Sequence, residues 1–184
     1  LINCLMIGVA TTKSIGLLKD INVLPINHLE GHVASCFIEN DINFPSICLV
    51  ASGGHTNLYL LEDEKEFHLI SSTRDDAAGE AFDKGAKILG LDYPGGVEID
   101  RLSKGGNKKF HSFPVANLDA SFDFSFSGLK TSLKYFIEKN NDWKSNIEDI
   151  ACCYQEAIVE SLLIKTKKAA IKFNSKKELK LALF

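Results

Sequence analysis

Apolar and polar positions alternate with two different periods along this chain, and the change of period marks its parts. Residues 3–20, NCLMIGVATTKSIGLLKD, set Leu5, Val9, Ile15, Leu17 and Leu18 at loosely helical spacing. The pattern predicts an apolar, largely buried helix closed by Asp20. VLPIN (23–27) reads as a short strand, and HLEGHVASCFIEN (28–40) returns to helical spacing with Leu29, Val33, Cys36 and Phe37 on one side. FPSICLVASGG (44–54) is a buried strand entering a glycine turn, HTNLYLLE (55–62) leaves it, and EFHLISST (66–73) is a third, alternating strand.

The second half is mostly helical. DDAAGEAFDKGAKILGL (75–91) predicts a helix whose leading aspartates suit its N-terminus, followed by a YPGG turn (93–96). Residues 101–125 read as loop, and 127–140 as a helix capped by Ser127. In 147–173 Ile147, Ile150, Tyr154, Ile158 and Leu162 form one stripe, which predicts a long amphipathic helix. LKLALF (179–184) reads as a strand. Three meandering strands followed by helix and strand predict an α/β layer with a helical insertion.

Composition narrows the class. The 184 residues are 45% hydrophobic and 24% charged, enough to bury a core, and the net charge of −3 provides no global basic field. The basic residues are scattered along the sequence, so a nucleic acid is expected to be gripped largely by partners or by other segments. The cysteines, Cys4, Cys36, Cys48, Cys152 and Cys153, are odd in number and form no C-x-x-C pair. They predict buried reduced thiols in a cytosolic protein. No apolar run reaches the roughly 18 residues of a membrane span, and no basic residue precedes the apolar start as in a signal peptide.

The stretch PINHLEGHV raises the sharpest chemical question, because His28 and His32 are four apart with Glu30 between them. On a helix the two imidazoles lie about 40° apart and offer two donors to zinc or iron. A metalloprotease places its glutamate directly after the first histidine; here Glu30 comes one position later, about 180° from the pair. It therefore cannot serve as the base of a protease, and two surface histidines at helical spacing remain the plain alternative. The turn after Val50 (Ala51, Ser52, Gly53, Gly54) lets a phosphate or carboxylate approach backbone N–H groups, or is a simple hairpin turn. No G-K-[ST] follows, so it is not a P-loop. Asp83 is either a surface acid or an acceptor for a hydroxyl or amine in a cleft.

Taken together and in order, HLEGH, SGGHT, DDAAGEAFDKGAKILGLDYPGG and FSFSGLKT resemble the tRNA threonylcarbamoyladenosine transferases, formerly labelled O-sialoglycoprotein endopeptidases, over residues 3–183. The resemblance implies an actin/sugar-kinase/Hsp70-like (ASKHA) two-lobe α/β fold. Residues 1–43 would end the N-terminal lobe and 44–184 form the second, with a helical insertion at about 75–145. It implies transfer of the threonylcarbamoyl group from threonylcarbamoyl-adenylate to the exocyclic amine of the adenosine 3′ to the anticodon in tRNAs reading ANN codons, with release of AMP. It further implies His28 and His32 as ligands of one divalent metal per subunit, iron in preference to zinc, acting as Lewis acid and template. Val50, Ala51, Ser52, Gly53, Gly54, Asp83, Gly96 and Asp100 match the family's adenylate-contacting positions; no general base is matched. The implied partners are tRNA, a paralogous non-catalytic subunit and a small ATPase (TsaB and TsaE in bacteria), in the cytoplasm and without a membrane.

Val97 stands where the family usually has Pro. The family's opening strands, its later substrate-binding Asn and the Asp completing the metal site have no counterpart here. A truncated chain, inactive alone, is the expectation, with an inactive scaffold or decayed paralogue as the alternative. A sugar kinase or ATPase of the same fold would require the phosphate loop of those opening strands.

Overall fold

A computed structural model describes residues 2–38, 40–116, 121–173 and 181–183, the backbone alone at 2–4 and 181–183. It divides into two compact units, residues 1–31 and 32–184.

The first unit is built on α1 (Ile2–Lys19). Asp20 takes a left-handed conformation (φ 51°) and ends the helix where the sequence placed its stop. The Ile21 N–H donates to the Gly16 carbonyl at 2.9 Å, and a Cβ at Gly16 would sit 2.6 Å from the Val23 side chain, so the chain folds back over the helix end. Two expectations fail here. The helix is not largely buried: Leu5, Ile7, Leu17 and Leu18 are all exposed. Apolar residues surround it without forming a stripe, and a single helix with one short tail has nothing to bury them against. Residues 23–27 form no strand, because Pro25 removes a ladder donor and no neighbouring strand offers a pairing edge within this unit.

The division falls inside α2 (His28–Ser35), between Gly31 and His32. This helix is shorter than 28–40: three i→i−3 bonds to the carbonyls of Val33, Ala34 and Ser35 tighten its end into a turn through Ile38, and residue 39 lies outside the described residues. In the second unit, β1 (Ser46–Ala51) and β2 (Thr56–Leu61) pair antiparallel from Ser46↔Leu61 to Ala51↔Thr56, as the hairpin pattern predicts. All twelve of these residues are buried, so both sheet faces are covered. β3 (Phe67–Ser72) extends the meander past a bulge at Leu58/Tyr59, and β4 (Leu181–Leu183) adds to the other edge, parallel to β1. The strand order is β3-β2-β1-β4. Residues 179, 180 and 184 of the expected last strand lie outside the described residues.

Helices α3 (Ala78–Leu89), α4 (Gly95–Ser103), α5 (Ser127–Lys139) and α6 (Ile147–Lys172) pack with the sheet around one core. The stripe of α6 is as read: Ile150, Tyr154 and Ile158 are fully buried, with Ile147 and Leu162 packed at its margin. The Tyr154 hydroxyl donates to the Ala81 carbonyl at 2.9 Å, and burial raises its pKa. Its ring lies over Gly85, where a Cβ would come within 2.3 Å, so the glycine sets the approach of α3 to α6. α4 is a helix that sequence pattern alone missed, because only Ile99 and Leu102 carry its apolar face and the glycine pair reads as a turn.

Ser127 does not cap α5. It is the first helical residue, and the carboxylate of Asp75, 52 positions away, caps instead. Asp75 accepts from the Phe126 N–H (2.8 Å), the Ser127 N–H (3.3 Å) and the hydroxyls of Ser125 (2.5 Å) and Ser127 (2.9 Å). Partial burial would raise its pKa, but these bonds outweigh it and hold the carboxyl below its ordinary value. Cys48, Cys152 and Cys153 are buried, Cys36 is half-buried, and all four are free thiols; the Cys4 side chain lies outside the described residues. Burial, then the neighbouring Cys36, pushes the Cys48 thiol up to about 12.

Candidate functional site

The glycine turn lies between β1 and β2. Val50 and Ala51 are buried strand residues, Ser52 is half-buried, and Gly53 and Gly54 are exposed with open space where a side chain would stand. The turn is pinned by the Ser52 N–H to the His55 carbonyl (2.8 Å) and by the His55 N–H to Ser52 Oγ (3.2 Å). Among the described residues no backbone carbonyl accepts from the amides of Gly53 or Gly54.

The start of α3 lies directly against this turn. The Gly79 N–H donates to the Ser52 carbonyl at 3.2 Å, and a Cβ on Gly79 would lie 2.7 Å from both Gly53 Cα and Ser52 O. No side chain larger than hydrogen fits there without moving backbone. One residue earlier, the Ala78 N–H donates to the buried Thr56 Oγ1 at 2.8 Å, so strand β2 caps α3. Sequence reading singles out neither Gly79 nor Thr56; the small-residue run AAGEA in the first turn of α3 was the available signal for Gly79. The amides of Gly53 and Gly54 suit an anionic ligand, while those of residues 77–79 at the start of α3 are taken by Glu80, Thr56 and Ser52.

Asp83 follows Gly79 by one helical turn on the same side of α3. Its Oδ1 accepts the Gly95 N–H at 2.8 Å and so caps α4. Gly95 is tightly placed: a Cβ would meet Asp83 Cα at 2.6 Å. Asp83 and Gly95 line an open pocket of about 370 Å³ with Glu80, Lys84, Lys87 and Tyr93. Lys84 is paired with Asp76 and, at 3.1 Å, with Glu80; these bonds raise its pKa. Gly96 is half-buried beside Phe82, and Asp100 stands one turn further along α4, exposed and 3.4 Å from Lys104. The structure thus brings the turn, Asp83 and the start of α4 together along α3, while Asp100 is outside the residues lining the pocket.

The histidines are both on α2, His28 exposed and His32 half-buried. Asn27 starts this helix: its Oδ1 accepts the Leu29 N–H at 2.9 Å, and its Nδ2 donates to Glu30 Oε1 at 3.4 Å. Glu30 therefore belongs to the helix cap. Imidazoles four residues apart on one helix are of the donor type that zinc and iron accept, and two alone do not complete a site. A different trio, Glu62, Glu66 and His68, has ligand atoms within 4.8 Å of one another and was not anticipated. All three are exposed at the β2–β3 hairpin, where His68 Nε2 lies 3.7 Å from Glu62 and 3.3 Å from Glu66. Among the described residues no helix is long and apolar enough to cross a membrane.

Comparison with known proteins places these features in a family. A family model described as tRNA N6-adenosine threonylcarbamoyltransferase matches residues 1–182. A protein of that name from Syntrophus aciditrophicus is 49% identical over 179 residues, covering 95% of this chain and 52% of the relative. Those from Kosmotoga olearia and Endomicrobium trichonymphae are 45% and 43% identical, covering 92% and 96% of this chain and 51% and 52% of their own lengths. The chain thus spans about half the length of the curated relatives it matches. With the match running through the histidine helix, the glycine turn and α3 to α5, the chain belongs to the tRNA N6-adenosine threonylcarbamoyltransferase family.

Proposed function

We propose that this chain carries the adenylate-binding half of a transferase that moves a threonylcarbamoyl group from threonylcarbamoyl-adenylate to tRNA. The acceptor is the exocyclic amine of the adenosine 3′ to the anticodon in tRNAs reading ANN codons. The amine attacks the carbamoyl carbonyl carbon, the bond to the phosphate oxygen breaks, AMP leaves with the electron pair, and the amine gives up one proton to solvent. The observation that carries this reading is the alignment of the Ser52–Gly54 turn, Asp83 and the N-terminus of α4 along one side of α3.

In this reading the amides of Gly53 and Gly54 hold the anionic part of the adenylate. Asp83 keeps α4 in place through Oδ1 and has Oδ2 to accept from a ligand hydroxyl. Gly96 allows the ligand close to the α4 backbone, and Asp100 belongs to the outer edge of the same cleft. His28 and His32 are two ligands of a divalent metal, iron in preference to zinc, with further ligands from outside α2. When bound, the metal supplies Lewis-acid polarisation of the carbamoyl group. The same reading carries the two-lobe ASKHA fold, with a lobe boundary near 43/44, and as partners tRNA, a non-catalytic paralogous subunit and a small ATPase.

Two variants of the full-length protein test the assignment. His28→Ala/His32→Ala is expected to lose stoichiometric metal by elemental analysis; retained metal would contradict the metal site. Asp83→Asn is expected to weaken binding of a non-hydrolysable adenylate analogue in calorimetry and to leave the metal in place. Unchanged analogue affinity would remove Asp83 from the site.

A further inference from the structure

We propose that the groove between α3 and α5 seats the backbone of a single-stranded RNA loop, an inference that rests on the tRNA reading above. The basic residues that look scattered in sequence converge here. Lys87 from the last turn of α3 and Lys130 and Lys134 from α5 line one open groove of about 600 Å³. Lys130 and Lys134 are one turn apart on a common helix face, with Cβ atoms roughly 5–6 Å apart. Among the described residues the one acid lining the groove is Glu138, 3.8 Å from Lys134. Three cations against one anion make the groove locally positive on a chain whose net charge is −3.

The groove adjoins the Asp83 pocket, and Lys87 lines both. Among the described residues Lys87 makes no ion pair, whereas Lys84 beside it is held by Asp76 and Glu80. Tyr135 lines the groove and Tyr93 the pocket, and both are largely exposed (60% and 83%). Lysines with accessible aromatic rings match single-stranded RNA, whose phosphates take the cations and whose unstacked bases take the rings. The pocket beyond Lys87 carries Glu80, Asp83 and Asp92, which repel phosphate. Charge thus assigns the RNA backbone to the groove and leaves the pocket to the adenylate.

The test is fluorescence anisotropy of a labelled anticodon stem-loop with the full-length protein and its partner subunits, across a salt series. Lys130→Gln/Lys134→Gln is expected to lower affinity roughly tenfold at low salt and to flatten the log–log salt slope by about 1.4, the value for two single-strand phosphate contacts. Lys130→Arg/Lys134→Arg should retain both, which separates charge from folding. Tyr135→Ala should lower affinity several-fold further, and Tyr135→Phe should not. Unchanged affinity and slope in the glutamine variant, with wild type binding normally, would overturn the groove alone. A wild-type protein that binds no stem-loop would overturn the tRNA reading and the groove with it. Equal displacement by a poly-glutamate peptide of matched charge would overturn RNA as the occupant.

Discussion

The histidine helix and the helices of the proposed adenylate site differ in how their beginnings are fixed. α2 is started by Asn27, its immediate neighbour, which accepts from Leu29 and donates to Glu30. The other three also depend on distant residues: α3 on Thr56 of β2 beside its own Glu80, α4 on Asp83 of α3, and α5 on Asp75 from the loop after β3. The histidine pair is therefore placed locally, and the proposed adenylate site exists only when sheet and helices have assembled. Damage to the first should remain at α2, whereas damage to the second should spread.

Gly79 is where this contrast should show its largest effect. Gly79→Ala puts a Cβ against the backbone of Ser52 and Gly53. It is expected to cost roughly 1–3 kcal/mol by overpacking and to weaken adenylate binding more than about tenfold. Denaturant melts and calorimetry measure the two; a variant binding like wild type would mean that the turn does not hold the ligand.

Asp75→Ala comes next. Losing the cap of α5 is expected to cost about 1–2 kcal/mol, with increased amide exchange at the start of α5. Its pH dependence has a fixed sign. Because the folded carboxyl titrates below its ordinary value, its stabilisation is fully present above the unfolded-chain pKa of about 3.9 and is lost as pH falls through the lower folded value. Asp123, held low by Arg74 and Ser121 against its own burial, acts in the same direction. Asp75→Asn should reduce the acid sensitivity of α5; equal sensitivity would assign it to Asp123.

Asn27→Ala is expected to cost about 1 kcal/mol, to fray α2 and lower metal affinity, and to leave adenylate affinity unchanged. A drop in adenylate affinity would break the contrast between the regions. The smallest effect belongs to Gly31→Ala, where a Cβ meets open space inside a helix. A stabilisation of about 0.5–1 kcal/mol is expected, read as a raised melting midpoint.

The same contrast explains what could be read from the sequence. The β1–β2 hairpin, the stripe of α6 and the Asp20 stop were legible because each is a local pattern. The geometry excluding Glu30 as a protease base needed only helical periodicity, and Asn27 now gives that glutamate a role. What escaped is long-range. α4 depends on an Asp83 cap, and α5 starts on Asp75, not Ser127. The tight seat of Gly79 has meaning only beside the glycine turn. The exposed α1 shows the converse, since apolar content predicts burial only where a partner surface exists. The lysines of α3 and α5 are 43 or more positions apart in sequence and share a groove only in the folded chain.

The central claim is the transfer itself. Its most direct measurement is mass spectrometry of an anticodon stem-loop after incubation with the full-length protein, the proposed partner subunits and synthetic threonylcarbamoyl-adenylate. The account predicts threonylcarbamoyladenosine at the position 3′ to the anticodon, formed in equal amount with AMP and lost in Gly79→Ala. An unmodified stem-loop, with the adenylate intact or merely hydrolysed, would contradict it and leave a non-catalytic member of the family.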